Sequence, residues 1–286
     1  MPELAEAEFF RKRWHLAALR SPRILRIHTH DDKKLFRTAP AAGLKADLTH
    51  TDYSTSAAAA KQILFRFQRP ANATAPAIES WLGIHLGMTG DLSVFEPRHI
   101  PRKHDHLILY TSAHALVFSD PRMFGRIQFQ TGSTAPTWWT QIAPALLSTA
   151  FSAQVVAAFL QRRARAPIKA VLLMQERFPG IGNWMADEIL WRAAIHPAQP
   201  AGKLHPTEVK KLWRECRAVA RLALNTIAGR GDDLPADLNI AIPDTWLFNH
   251  RWGNGGHCPK TNKPLARAEI GGRTTCWSPA RQKLHA

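Results

Sequence analysis

Between Ala5 and Leu19 the apolar residues Phe9, Leu16 and Leu19, with Trp14 nearby, fall at helical spacing, and the acids of the stretch lie in its first turn, where the helix dipole favours them. The pattern predicts a helix almost at the N-terminus. The next stretch of about 110 residues reads differently. ILRIH, KQILFRFQ, WLGIHLGM, DLSVFE, HLILYT, ALVFSD and RIQFQ are short runs rich in β-branched and aromatic residues, separated by clusters of Gly, Pro, Asn and Asp. They predict antiparallel strands in a sandwich or barrel. The segment Thr131 to Pro144 is rich in turn formers and marks a domain junction. Helical patterns follow: AFSAQVVAAFLQRR, IKAVLLMQ, NWMADEILWRAAI and HPTEVKKLWRECRAVARLALNTIAG. The turn from Gly180 to Asn183 separates two of them and suits a close backbone approach. Gly229 to Asp244 is irregular, and the glycine-rich end predicts a small β-hairpin. The class is α+β, with no internal repeat and no low-complexity tract.

Composition narrows the partner. With 286 residues, 45% hydrophobic and 21% charged, the chain has ample apolar material for buried cores, which excludes a mostly disordered protein. Three cysteines, Cys216, Cys258 and Cys276, exclude a disulfide-rich module. No stretch reaches the roughly 18 consecutive apolar residues of a membrane span, and acids stand where a signal peptide would carry lysines, so an intracellular, membrane-free protein is expected. The 38 Lys+Arg against 22 Asp+Glu leave a formal charge of +16, which favours a polyanion as partner. The charge is uneven: from Arg251 to Ala286 there are seven Lys/Arg and one acid, Glu269. A second basic stretch holds Arg11, Lys12, Arg13, Arg20, Arg23 and Arg26.

Candidate chemistry begins at the second residue. Met1 precedes a small residue, so its removal is expected, which exposes Pro2 as a free secondary amine. An α-amino pKa of roughly 7.7–8.0 leaves an appreciable neutral fraction near neutral pH, nucleophilic toward a sugar aldehyde carbon. Glu3 could donate or accept a proton in that attack. Standing alone, a second-position proline is an accident of sequence, and Glu3 and Glu6 are helix-dipole residues.

The motif has company. MPELAE at the N-terminus, Ala60-Lys61 heading AKQILF, HLGMTG (His85 to Gly90), KHDH (Lys103 to His106), DPRMFG (Asp120 to Gly125), Ile168-Lys169, PGIGNWMADEILWRAAIHP (Pro179 to Pro197) and GGRTT (Gly271 to Thr275) stand in one order along the chain. In that order they resemble the formamidopyrimidine-DNA glycosylase/endonuclease VIII family. The resemblance implies an N-terminal β-sandwich catalytic domain over 1–133, a helix–two-turn–helix DNA-binding domain over 145–232 and a hairpin finger over 245–286. It implies base flipping, attack of Pro2 on the sugar C1′, and an imine that leads to strand cleavage by β- and then δ-elimination. By the same resemblance Glu3 is the acid/base and Lys61 grips a phosphate beside the lesion. Met88, Arg122 and Phe124 fill the void left by the flipped base, since unstacking costs a few kcal/mol per step and wedges offset it. On an anonymous strand, core packing would be the reading for Met88 and Phe124, and an edge-strand charge for Lys61. Asn183, Lys169 and Arg273 are implied phosphate contacts, Asn183 together with the free N–H groups of its helix terminus or as an ordinary N-cap. Glu6 and Glu188 match acids of the active-site floor, or serve as salt-bridge partners.

The chain also departs from the family pattern. The family finger is usually a four-cysteine zinc site; here its two halves read Cys258-Pro259-Lys260-Thr261 and Ser278-Pro279-Ala280-Arg281, with one cysteine left. A zincless finger is expected, keeping Arg273 and relying on packing, with Trp277 a candidate, and no cofactor is expected. Cys276 is read as packed in the hairpin. Ala5 replaces a family proline, Met123 stands where a second arginine is common, and Gly229 to Trp246 does not reproduce the loop over an extruded oxidised purine. The expected protein is a monomeric glycosylase with AP lyase activity on duplex DNA carrying damaged bases or abasic sites. The alternative is a non-catalytic binder of damaged or single-stranded DNA, against which Pro2, Glu3 and Lys61 together argue.

Overall fold

The computed structural model describes residues 2–30, 34–36, 40–71, 77–253 and 255–285. Met1, whose removal the sequence predicts, lies outside them. The chain forms two compact units, one of Met1–Pro2, Glu6–Ile142 and Ala228–Leu234, the other of Glu3–Ala5, Ala143–Ile227 and Pro235–Ala286.

The predicted first helix is α1 (Leu4–Arg20), with Glu6 in its first turn and Arg20 in its last. The first unit otherwise comprises β1 (Arg26–Thr29), α2 (Ala41–Leu48), β2 (Asp52–Ala59), β3 (Gln62–Arg69), β4 (Ile78–His85), β5 (Asp91–Phe95), β6 (Asp105–Tyr110), β7 (Ala115–Ser119), β8 (Arg126–Thr131) and the short α3 (Thr137–Thr140). The strands make two four-stranded sheets in the orders β1-β6-β7-β5 and β2-β3-β4-β8. Every pairing is antiparallel. Ile63, Phe65 and Phe67 of β3 and all of β6 are buried, as apolar runs between turn signals require. Trp14 of α1 ties to both sheets, donating its indole N–H to Ser93 O of β5 at 3.0 Å and packing on Phe65 of β3 at 5.2 Å. Two elements differ from the sequence reading. Residues 41–48 form a helix where only strands were expected, and DYSTSAAA forms β2.

The second unit holds α4 (Ala153–Arg162), α5 (Ile168–Leu172), α6 (Asn183–Ala193), α7 (Pro206–Ile227) and the hairpin β9 (Ala266–Ile270) and β10 (Arg273–Trp277). Ser152 caps α4 by accepting from Val155 N. Phe159, Leu160, Ile168, Phe178, Met185, Ile189 and Leu212 centre one apolar core. The helical pattern ran on to Gly229, but α7 stops at Ile227, and Ala228–Leu234 belong to the first unit. There the Lys12 ammonium donates to Ala228 O at 2.8 Å and Gly229 O at 2.9 Å.

Candidate active site and nucleic-acid interface

In the second unit the feature that sets the N-terminus is Glu3. It is 1% exposed, and its carboxylate accepts from Gly182 N at 2.8 Å, Trp184 N at 2.9 Å and Met185 N at 3.1 Å. Those donors are orphan N–H groups of the α6 terminus, whose own N-cap residue, Gly182, has no side chain to offer. A carboxylate from the chain start therefore caps α6 through charge-assisted hydrogen bonds. Leu4 N adds a bond to Gly180 O at 3.0 Å, so the residues that follow Pro2 are fixed on both sides. The backbone donors expected to meet a phosphate near Asn183 are thus occupied by Glu3.

Asn183 opens α6; its Nδ2 donates to Thr274 O of β10 at 2.9 Å. The Gly271-Gly272 turn of the hairpin has φ of 62° and 73°, which fits a two-residue turn that only glycine takes without strain. Gly271 lies against Ala170 of α5, and Arg273, the next residue after the turn, is exposed. Asn183 and Arg273, both implied phosphate contacts, are therefore held on neighbouring elements of one unit.

Lys169 stands elsewhere. Its side chain is 0% exposed, with the ammonium donating to Asp187 Oδ1 at 2.5 Å and Asn183 O at 2.7 Å. Arg251 holds the other oxygen of Asp187 at 2.7 Å, and Cys276 N donates to it at 3.2 Å. Burial lowers the Lys169 pKa and Asp187 opposes that shift. A cation so enclosed is a structural member, and the expected phosphate contact at Lys169 is corrected accordingly. The Lys169–Asp187–Arg251 cluster was not foreseen, because nothing in the sequence brings Arg251 next to Asp187.

Glu188, one residue on, is 1% exposed and accepts from Arg192 Nε at 2.7 Å. Burial raises its pKa, against Arg192 and the backbone of Leu247 and Phe248. This pairing is the salt-bridge reading of Glu188.

In the first unit, Glu6 is buried on α1. Lys61 sits in the two-residue turn between β2 and β3, after Ala60 with φ 56°. The pairing of Gln62 with His85, and of His85 with Arg126, sets His85 among cations. Burial, then Arg126 and Lys61, push the His85 pKa down to about 4. Its Nδ1 accepts from Gly87 N at 3.0 Å and so shapes the turn that carries Met88.

Met88 follows β4, while Arg122 and Phe124 lie between β7 and β8. One carboxylate organises both loops: Asp120, 0% exposed, accepts from Thr89 Oγ1 at 2.6 Å and from Gly125 N at 2.7 Å. Its carbonyl accepts from His106 Nε2 at 2.9 Å. Gly87, with φ 64°, rests on the backbone of Phe124 and Gly125, where a Cβ would collide. The loops are thereby packed together, with Arg122 over the Phe124 ring at 5.0 Å and Phe124 54% exposed. An aromatic this open on an otherwise well-packed turn is not a core residue. The sequence assigns no role to Asp120 or His106, although they stand in the motifs DPRMFG and KHDH.

The finger offers a poor set of metal donors. Positions 258, 261, 278 and 281 supply one thiol, two hydroxyls and a guanidinium, which do not fit zinc. Among the described residues no group of three or more His, Cys, Asp or Glu is arranged to hold a metal. No helix among them is long and apolar enough to cross a membrane.

Comparison with known proteins agrees with this geometry. Residues 1–127 match the family model described as the formamidopyrimidine-DNA glycosylase N-terminal domain, and residues 142–231 the model described as its H2TH domain. A formamidopyrimidine-DNA glycosylase of Roseiflexus sp. is 34% identical over 71% of this chain and 74% of its own length. The one of Chloroflexus aurantiacus is 32% identical over 70% and 72%. A Lactococcus lactis formamidopyrimidine-DNA glycosylase, solved non-covalently bound to AP-site-containing DNA, superposes with a TM-score of 0.78 at 22% identity, covering 98% of this chain and 99% of that one. The wild-type Lactococcus lactis Fpg in complex with N7-benzyl-Fapy-dG-containing DNA gives 0.80 at 22% identity over 99% and 100%. At that identity the structures speak for the fold alone. Fold, site and relatives define a DNA glycosylase of base-excision repair. The chain belongs to the formamidopyrimidine-DNA glycosylase family.

Proposed function

We propose that this glycosylase acts on duplex DNA carrying damaged bases or abasic sites through a Schiff base on Pro2. The secondary amine of Pro2, freed by loss of Met1, adds to the sugar C1′ as the base leaves, and loss of the ring oxygen bond gives an iminium. That cation makes the C2′ proton acidic, so β-elimination expels the 3′ phosphate and δ-elimination the 5′ phosphate. Glu3 serves as the acid/base; Lys61 and Arg273 bind phosphates, with Asn183 beside Arg273. Met88, Arg122 and Phe124 enter the space left by the flipped nucleotide. The observation that supports the reading is the Glu3 cap on α6, which fixes the carboxylate of the residue that follows the proposed nucleophile in sequence. The finger works without metal in this reading, because its donor set is wrong for zinc. Borohydride trapping on an abasic-site duplex is the direct test.

A further inference from the structure

The side of α6 facing the finger carries an unusual sequence of partners. Asn183 donates to Thr274 O, Asp187 accepts from Cys276 N, Trp191 donates its indole N–H to Cys258 Sγ at 3.3 Å, and Ile195 O accepts from Gln282 Nε2 at 2.9 Å. Asn183, Asp187 and Trp191 are spaced four apart along α6, which places them on one stripe of the helix, and Ile195 lies just beyond its C-terminus. The stripe meets the hairpin strands first and both turns of the missing metal site afterwards.

Both turns are closed by backbone hydrogen bonds. Thr261 N and Asn262 N donate to Cys258 O, and Arg281 N and Gln282 N donate to Ser278 O. Between them lies Trp191, 0% exposed, in an apolar cluster with Leu247, Cys258 and Cys276. Lys260 Nζ of the first turn stands 4.6 Å from the centre of its ring, and the Arg281 guanidinium of the second stands 5.6 Å from it. Burial alone would raise the Cys258 thiol, yet hydrogen bonds from Thr261, Trp191, Ser278 and the Lys260 N–H bring it to about 7. Trp277, the sequence candidate for this role, instead packs edge-on against His196 at 5.3 Å.

We propose that Trp191 is a positioning residue that replaces the metal: its N–H binds the one remaining ligand sulfur, its ring holds a cation from each turn, and the finger that carries Arg273 is thereby fixed to α6. Two cations over one indole and a hydrogen bond from its N–H act on both turns at once. The inference rests on the reading of Arg273 as a phosphate contact, and its test separates the two.

The full-length protein labelled with ¹⁵N-tryptophan shows ten indole resonances, one of which Trp191→Phe identifies. That resonance is expected to exchange slowly with solvent and to shift in Cys258→Ala but not in Cys216→Ala. An unmoved resonance overturns the proposal whatever DNA does. Binding to a duplex with a tetrahydrofuran abasic analogue then reads the consequence. Trp191→Phe and Cys258→Ala each weaken it a few-fold, the double variant weakens it no further, and the single-turnover rate at saturating DNA stays within about twofold. Additive losses, or wild-type affinity in both single variants where Arg273→Ala does weaken binding, contradict the positioning role. If Arg273→Ala also leaves affinity unchanged while the resonance behaves as expected, the phosphate reading fails and the anchor stands.

Discussion

Gly182 and Glu3 stand 179 residues apart, yet the backbone N–H of one donates to the carboxylate of the other at 2.8 Å, and a Cβ on Gly182 would overlap that carboxyl group. The close approach makes the glycine a determinant of the chain start. Gly182→Ala should expel Glu3 from the α6 terminus, cost about 1–3 kcal/mol from the lost cap and unpaired donors, and slow single-turnover cleavage at least tenfold. Thermal unfolding and quenched-flow cleavage on one preparation check both effects. A variant of normal stability and normal rate would show that the cap does not hold the active carboxylate.

Asp187 faces two buried cations at once. Asp187→Ala leaves Lys169 and Arg251 without their common anion, and about 3–5 kcal/mol of destabilisation is expected. Urea unfolding measures it. A loss below about 1 kcal/mol would mean that water or backbone reaches those cations instead.

The same burial separates Lys169 from Arg273 on DNA. A phosphate contact contributes about 0.9 to the slope of log Kobs against log salt. Arg273→Ala should flatten the slope by about that amount, whereas Lys169→Met should lower stability and leave the slope of the folded fraction unchanged. Equal slope changes would restore Lys169 to the surface role read from the sequence.

His85 gives the fold a pH dependence of defined sign. It is neutral in the folded protein down to about 4 and binds its proton near 6.5 when unfolded, so the unfolded state gains protons first as pH falls. Stability is present above about 6.5 and is lost progressively toward 4, by at most about 3 kcal/mol. His85→Gln should reduce the difference between urea midpoints at pH 7 and pH 5. An unchanged difference would place the titration in other groups.

The sequence shows most of the strands and long helices because their apolar runs are bounded by turn formers, as in KQILFRFQ and the Leu-rich pattern of α7. It hides β2, because DYSTSAAA has three alanines and little apolar alternation; the register with β3 sets that strand, not local propensity. α2 is hidden for a related reason: eight residues at low polarity carry too few turns for a helical period. The site was legible where a motif carries its own backbone demand, as in Gly87 before Met88 or the Gly271-Gly272 turn before Arg273. What sequence could not show is which charge meets which across long separations. Lys169 is read as a phosphate contact until Asp187 encloses it, and Trp191 carries no role in the sequence until Cys258 comes beside it.

The central claim is the nucleophile. The protein with Met1 removed is incubated with a duplex holding one abasic site, treated with borohydride, and the adduct is mapped by peptide mass spectrometry. A single covalent complex on the α-nitrogen of Pro2, abolished when a retained N-terminal extension blocks that nitrogen, is the predicted result. An adduct on a lysine side chain, or no adduct from correctly processed protein, would contradict it.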